Sequence, residues 1–268
     1  MTKKRKRKLN VKNLIILISI ILIIIGLIIF LILKLNKQEE EETVIKGPYD
    51  LEKFDMSKEY YSYEDEKYTS AVGIDISEHN DEIDFEAVKE SGIDFAFIRI
   101  GWRGYSEGKI YVDKRFEEYY TGAKQAGLKV GVYFFSQAIN QDETKEEADF
   151  VLETLNGRTL DLPIVYDFET IDYDEARTDN LTKEQVTSNA VTFLKTVSTK
   201  YDAMLYANLN LLENKYEETI LNTFPLWYAQ YYKEPETLND FKIWQYSETG
   251  SVDGIDGEAD LNIMFINR

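Results

Sequence analysis

From residue 71 onward, short runs rich in Val, Ile, Tyr and Phe alternate with amphipathic runs of helical period, and few folds accommodate that order. The pattern predicts strands over 71–77, 94–100, 128–136, 162–169 and 203–207. It predicts helices over 84–91, 113–126, 142–155 and 182–199, with a short one over 209–216. Gly127 and Gly157 mark two helix ends, and Asn180 or Thr182 offers an N-cap to the longest helix. Beyond that point the helices thin out, and 226–231, 242–246 and 259–266 read as three more strands. Alternating strand and helix argues for a parallel sheet. Eight strands in one domain argue for closure into an α/β barrel of (β/α)5β3 type, TIM-like but irregular, because its last three strands lack full helices. An open doubly wound sheet is the competing architecture.

Composition removes whole classes of chemistry. The chain has no cysteine, which excludes disulfides, thiolate nucleophiles and Cys-based zinc sites. Its one histidine, His79, excludes a two-histidine metal centre and is expected on a loop. No Gly-x-Ser-x-Gly elbow and no Walker-type phosphate loop is present. Neither a cofactor nor a metal is expected. What remains abundant is carboxylate, with 49 Asp and Glu, and aromatic surface, with 19 Tyr, 14 Phe and 3 Trp. That combination suits carbohydrate better than phosphate. The net charge of −18 argues against nucleic acid as a partner.

The charge is unevenly placed. Lys3, Lys4, Arg5, Lys6, Arg7, Lys8 and Lys12 precede any acid. Residues 14–33 then carry no charge and are long enough to cross the hydrocarbon of a bilayer. The basic flank predicts a single-pass anchor in the cell membrane, with residues 1–13 cytoplasmic and the rest extracytoplasmic. A cleaved signal peptide is the rival reading, but no Ala-x-Ala site follows the apolar run. Residues 34–70 read as an acidic, tyrosine-rich linker whose C-terminal half is expected to pack on the domain. Near full stretch it spans on the order of 100 Å. Residues 71–268 are expected to form the barrel domain.

In a barrel of this kind, chemistry belongs at the C-terminal ends of the strands. Asp167 and Glu169 close the fourth predicted strand, two residues apart and so on one face, with about 7 Å between their Cα atoms. Two carboxyls in one cleft repel, so one tends to hold its proton, which is what a general acid beside an ionised partner requires. Asp75 on the first strand and Asp260 on the last, with Asn262 on the same face, point to the same mouth, and Arg99 is offered by the second strand. Singly, each acid also fits a rim cap or a partner for lysine. Three strands delivering acid to one mouth is harder to assign to surface solvation.

These residues carry a resemblance. Gly73-Ile74-Asp75-Ile76-Ser77, Ile83-Asp84-Phe85, Phe95-Ala96-Phe97-Ile98-Arg99 and the run from Gly127 to Phe135 are similar to glycoside hydrolase family 25, the Chalaropsis-type or phage-type lysozymes. The likeness continues through Leu162 to Glu169, Leu226-Trp227-Tyr228-Ala229-Gln230-Tyr231, Trp244-Gln245-Tyr246 and Asp260-Leu261-Asn262. It covers about 71–268 in the family's order. The resemblance implies an N-acetylmuramidase that cleaves the β-1,4 bond between N-acetylmuramic acid and N-acetylglucosamine in the glycan strands of peptidoglycan. It implies Glu169 as general acid, Asp167 as its charged partner, and Asp75 and Asp260 completing an acidic groove. Retention of configuration is implied, with attack by the substrate's N-acetyl group one route, while the i,i+2 spacing by itself leaves both direct attack by a carboxylate and inversion open. The chain departs from the family's pattern at Asp81-Glu82, where many relatives place glycine, and at Tyr133-Phe134, where a histidine is common.

Tyr133 is expected on the groove wall as a sugar contact, together with Arg99. Trp102, Trp227 and Trp244 are further stacking candidates, and for Trp227 and Trp244 the choice of face is open. A non-catalytic wall-binding scaffold and a chitinase-like glycosidase are the competing functions.

Overall fold

The structure is a computed structural model describing residues 24–27, 49–231, 234–237 and 239–268. The chain divides into two units, Met1–Ile45 and Lys46–Arg268. In the first, 24–27 are helical. The basic segment 1–13, the rest of the predicted membrane span 14–33 and residues 34–48 lie outside the described residues. Among the described residues, no helix is long and apolar enough to cross a membrane.

In the second unit the strands are β1 (Phe54–Asp55), β2 (Ser62–Tyr63), β3 (Tyr68–Ile76), β4 (Phe95–Arg103), β5 (Ile110–Val112), β6 (Lys129–Ser136), β7 (Ile164–Phe168), β8 (Ala203–Asn208), β9 (Leu226–Ala229), β10 (Ile243–Gly250) and β11 (Ala259–Asn267). The helices are α1 (Phe85–Glu90), α2 (Phe116–Gln125), α3 (Gln141–Leu155), α4 (Lys183–Val197), α5 (Leu209–Asn214) and α6 (Glu218–Leu221). Eight strands form a closed ring in the order β3, β4, β6, β7, β8, β9, β10, β11, and β11 pairs back onto β3. All neighbours are parallel except β11, which is antiparallel on both sides. The closing pair excludes the open doubly wound sheet. Because β11 runs backwards, its first residues lie at the same end as the last residues of β3, and Asp260 is the partner of Asp75.

Local chemistry explains the element ends. Asp84 caps α1 through the amides of Glu86 and Ala87, and Asn140 caps α3 through Glu143. Thr182, not Asn180, caps α4, in a reciprocal box with Gln185. The inward stripe of α4 is Val186, Ala190, Phe193, Leu194 and Val197, spaced for one helical face. Inside the ring, Phe95, Phe97, Val165, Met204 and Trp227 fill the lower lumen and form the floor beneath the mouth. A Cβ at Gly73 would stand 2.3 Å from the Phe95 ring, so only glycine lets that ring lie flat across β3.

The outer layer changes character at β10 and β11, which no helix among the described residues covers. A strap from Tyr49 to Tyr63 lies there instead. Tyr49 stacks on Phe265 at 3.6 Å and donates its hydroxyl to the carbonyl of Phe241 at 2.7 Å. Tyr61 stacks on Tyr246 at 4.2 Å. Trp244 belongs to this outer layer, not to the groove. It is 1% exposed, meets Phe54 edge-on at 5.6 Å, and donates Nε1 to the carbonyl of Gln230. The reason is strand parity: Gln245 faces the lumen, so Trp244 and Tyr246 face out.

Strand β5 has no counterpart in the sequence reading, since three residues are too few to show a period. It pairs antiparallel with the end of β4, outside the ring. A bulge in β4 between Arg99 and Gly101 precedes it. After the bulge Gly101 and Arg103 face α3, and Trp102 falls opposite Tyr111 and Phe135.

Candidate active site

The mouth of the barrel is an open cleft of about 300 Å³ lined by residues from every strand of the ring, among them Asp75, Arg99, Tyr133, Asp167, Glu169 and Asp260. The four candidate acids therefore converge. Asp75 and Asp260 face each other on adjacent strands, and Asp167 stands beside Phe135 and Tyr206. Glu169 lies one residue beyond β7, at the junction of this cleft with a second open hollow of about 580 Å³. Asn208, Asn210, Gln230 and Tyr231 line that hollow.

Asp75 is the best-anchored of the four. Its Oδ2 accepts from Gln245 Nε2 and from Asn262 Nδ2, both at 2.8 Å. Each amide is itself oriented. The Gln245 oxygen accepts from the hydroxyls of Tyr206 and Tyr231, each at 2.8 Å, and the Asn262 oxygen accepts from Trp227 Nε1 at 2.8 Å. With their oxygens committed, both amides present N–H to Asp75 and favour its charged form. Asp167 is treated differently: its Oδ1 is buried and has no hydrogen-bond partner.

Protonation follows from these surroundings. Burial raises Asp75 to about 6, with the two amide bonds pulling the other way. Burial raises Asp167 well above the usual carboxylate range, and the charges of Glu169 and Asp75 add to the effect. Glu169 is raised by burial and then by Asp75, against a lowering hydrogen bond with Tyr206. Asp260 is raised to about 9 by burial, Asp75, Glu248 and Glu169. The one guanidinium on the wall, Arg99, opposes the rise at Asp167, but it is shared with acids outside the four. It bonds Asp113 at 2.8 Å, lies 3.8 Å from Glu78, and stacks over Trp102 at 4.7 Å. The mouth thus holds several carboxyls and fewer charges, the condition for a stored proton near neutral pH.

This cluster has a consequence for stability. An unfolded aspartate titrates near 3.9, whereas Asp260 holds its proton to about 9. Between those values the folded state binds the extra proton, so stability falls as pH rises through the window. Asp260→Asn removes that titration. The variant is expected to melt ~3 °C above the parent at pH 9 and with a flatter pH dependence in thermal melts. Parallel profiles for the two proteins would show that Asp260 is not under this strain.

The remaining candidates divide. Tyr133, Arg99 and Trp227 line the cleft. Trp227 is 2% exposed and stacks on Phe97 at 4.7 Å, so it serves as floor and as donor to Asn262. His79 sits on a one-turn helix, Glu78–Asn80, and lines the rim. Next to it Asp81 adopts φ +54, a backbone region that favours glycine, at the point where the sequence departs from the family pattern. The sequence by itself assigns no role in the site to Tyr206, Tyr231 or Gln245, which the structure places in the network that holds Asp75. The alternation of β10 held a signal for Gln245, an amide between two outward aromatics.

The family model for glycosyl hydrolases family 25 matches residues 74–255. The chain is 33% identical over 192 residues to the autolytic lysozyme of Clostridium acetobutylicum, covering 71% of this chain and 54% of that protein. It thus spans about half the length of that relative. It is 30% identical over 207 residues to lysozyme M1 of Streptomyces globisporus, covering 72% and 68%. Among solved structures, the bacterial lysozyme from Streptomyces coelicolor superposes with a TM-score of 0.62 at 26% identity, over 72% of this chain and 90% of that one.

Proposed function

Because the chain belongs to glycosyl hydrolases family 25, we propose that it is a muramidase hydrolysing the β-1,4 bond between N-acetylmuramic acid and N-acetylglucosamine in peptidoglycan. The observation that carries this reading is the convergence of Asp75, Asp167, Glu169 and Asp260 on one cleft with their proton affinities pushed upward. The autolytic and M1 lysozymes among its relatives support it.

Glu169 is the proton donor in this proposal. Burial and the negative field of Asp75 hold the proton on its carboxyl until the glycosidic oxygen takes it. Asp75, held by two amide donors, stays anionic and stabilises the positive charge that develops on the sugar ring. Asp167 assists at the reacting centre, and Asp260 completes the wall. Tyr133 and Arg99 contact the sugar, and Trp227 supports the floor beneath it.

The test is release of new reducing ends from purified peptidoglycan by the full chain, with chitin oligomers alongside. Turnover of peptidoglycan is expected. Binding without turnover would make the protein a wall-binding scaffold, and turnover of chitin alone would make it a chitinase-like enzyme.

We further propose that residues 14–33 anchor the chain in the cell membrane, with the basic N-terminus in the cytoplasm and the barrel facing the wall. Such a tether confines cutting to a shell near the membrane, suited to wall turnover or local opening. The full chain is then expected in the membrane fraction, with its barrel open to protease added outside. Recovery of intact chain in the soluble fraction would overturn the anchor.

A further inference from the structure

We infer that Gln137 is a positioning residue for Glu169, acting through the main chain, an inference that rests on the reading of Glu169 as proton donor. The parallel pairing of β6 with β7 ends at Ser136 opposite Phe168. Glu169 follows directly, beyond the last paired residues, so the sheet alone does not fix its peptide. Gln137 follows Ser136 in the same way and is 0% exposed. Its Nε2 donates to the carbonyl oxygen of Glu169 at 2.9 Å. Its Oε1 accepts from Thr178 Oγ1 at 2.8 Å, which settles which end of the amide faces Glu169. A side chain thereby adds one more rung to the ladder at the residue whose carboxyl must be held still.

The rung is braced from outside. Arg177, beside Thr178, donates to both carboxyl oxygens of Glu143 on α3, at 2.7 and 2.8 Å, and to the carbonyl of Gln137 at 3.4 Å. The loop after Glu169, the helix after β6 and the rung itself are therefore one bonded unit. Gln137 does not line the cleft. Its effect on the reaction runs through the direction in which the Glu169 carboxyl points, and a displacement of ~1 Å there costs about 10²-fold in rate.

Two variants of the full chain test this, scored by reducing ends from peptidoglycan beside the parent and Glu169→Gln. Gln137→Leu removes the donor. It is expected to lose about 10²-fold in kcat with KM within about twofold, because the cleft wall is untouched. Gln137→Glu restores donor and acceptor only while its carboxyl is protonated. Its kcat relative to the parent is expected to fall as pH rises from about 4 to about 8, a dependence that a purely structural role would not produce. Parental kcat in Gln137→Leu, or a flat ratio for Gln137→Glu when Gln137→Leu does not fold, overturns the positioning role while Glu169→Gln still reports on the donor. An inactive parent overturns the muramidase reading and this inference with it.

Discussion

Glu169→Gln is expected to lose about 10³-fold in kcat on peptidoglycan while keeping the parent's fold, since general acid catalysis is worth roughly 10²–10⁴. The substitution is nearly isosteric. It keeps the backbone bond from Gln137, which uses the carbonyl and not the side chain. It also removes a buried acid whose proton affinity is raised, so the melting temperature should hold or rise. What disappears is the ability to give up a proton to the leaving oxygen. That loss has a signature beyond rate. A muramyl glycoside with a nitrophenolate leaving group needs no proton, so the deficit of Glu169→Gln should shrink on it. Asp167→Asn, altered at the partner and not at the donor, should keep its deficit on both substrates. Parental activity of Glu169→Gln on peptidoglycan would remove Glu169 from the donor's role, and an unchanged deficit on the activated glycoside would mean it acts other than by protonation.

The barrel was legible because its signal is repeated. Eight apolar runs with helices between the first five are hard to fold otherwise, and the predicted elements lie within a few residues of the observed ones. The acids were legible for a related reason: an Asp between Ile74 and Ile76, or between Tyr166 and Phe168, must face the opposite side from apolar neighbours that seek the helix layer. The same parity, carried through β10, placed Gln245 inside and Trp244 outside, but an aromatic side chain suggests sugar stacking more readily than an amide suggests a brace. The support around Asp75 comes from Gln245, Asn262, Tyr206, Tyr231 and Trp227, on four strands and the segment just after β9, and no local pattern announces a hydrogen bond across the lumen. Gln137 was illegible for the same reason, its partners lying 32 and 41 positions away. The strap was half legible. Five tyrosines between 34 and 70 are many for a free tether, but nothing local says which face of the barrel lacks a helix.

A chain beginning at residue 71 is expected not to fold, whereas one beginning at residue 46 is expected to fold and hydrolyse. Tyr49 and Tyr63 are 6% and 2% exposed, and Phe54, Met56, Tyr60 and Tyr61 pack against the same core. The cut also removes Tyr68, Thr69 and Ser70, which pair with Asn267, Ile266 and Phe265 across the closing seam of the barrel. It uncovers Trp244, Tyr246, Phe241 and Phe265 on the face that lacks helices. At about 1.5–3 kcal/mol for each large side chain buried, six anchors are worth on the order of 10 kcal/mol. The whole stability of a domain is about 5–15 kcal/mol, so the loss is of the same size as what there is to lose. Circular dichroism and a thermal melt decide it: a cooperative transition for 71–268 within about 5 °C of that for 46–268 would make the strap a dispensable linker. If the strap is part of the barrel, the tether proposed for the membrane is shorter than its sequence suggests. Residues 34–48 reach about 50 Å at full extension, against about 120 Å for 34–70. The cutting zone then lies correspondingly closer to the membrane, and lengthening the segment before residue 49 is expected to widen it without altering turnover of soluble glycan.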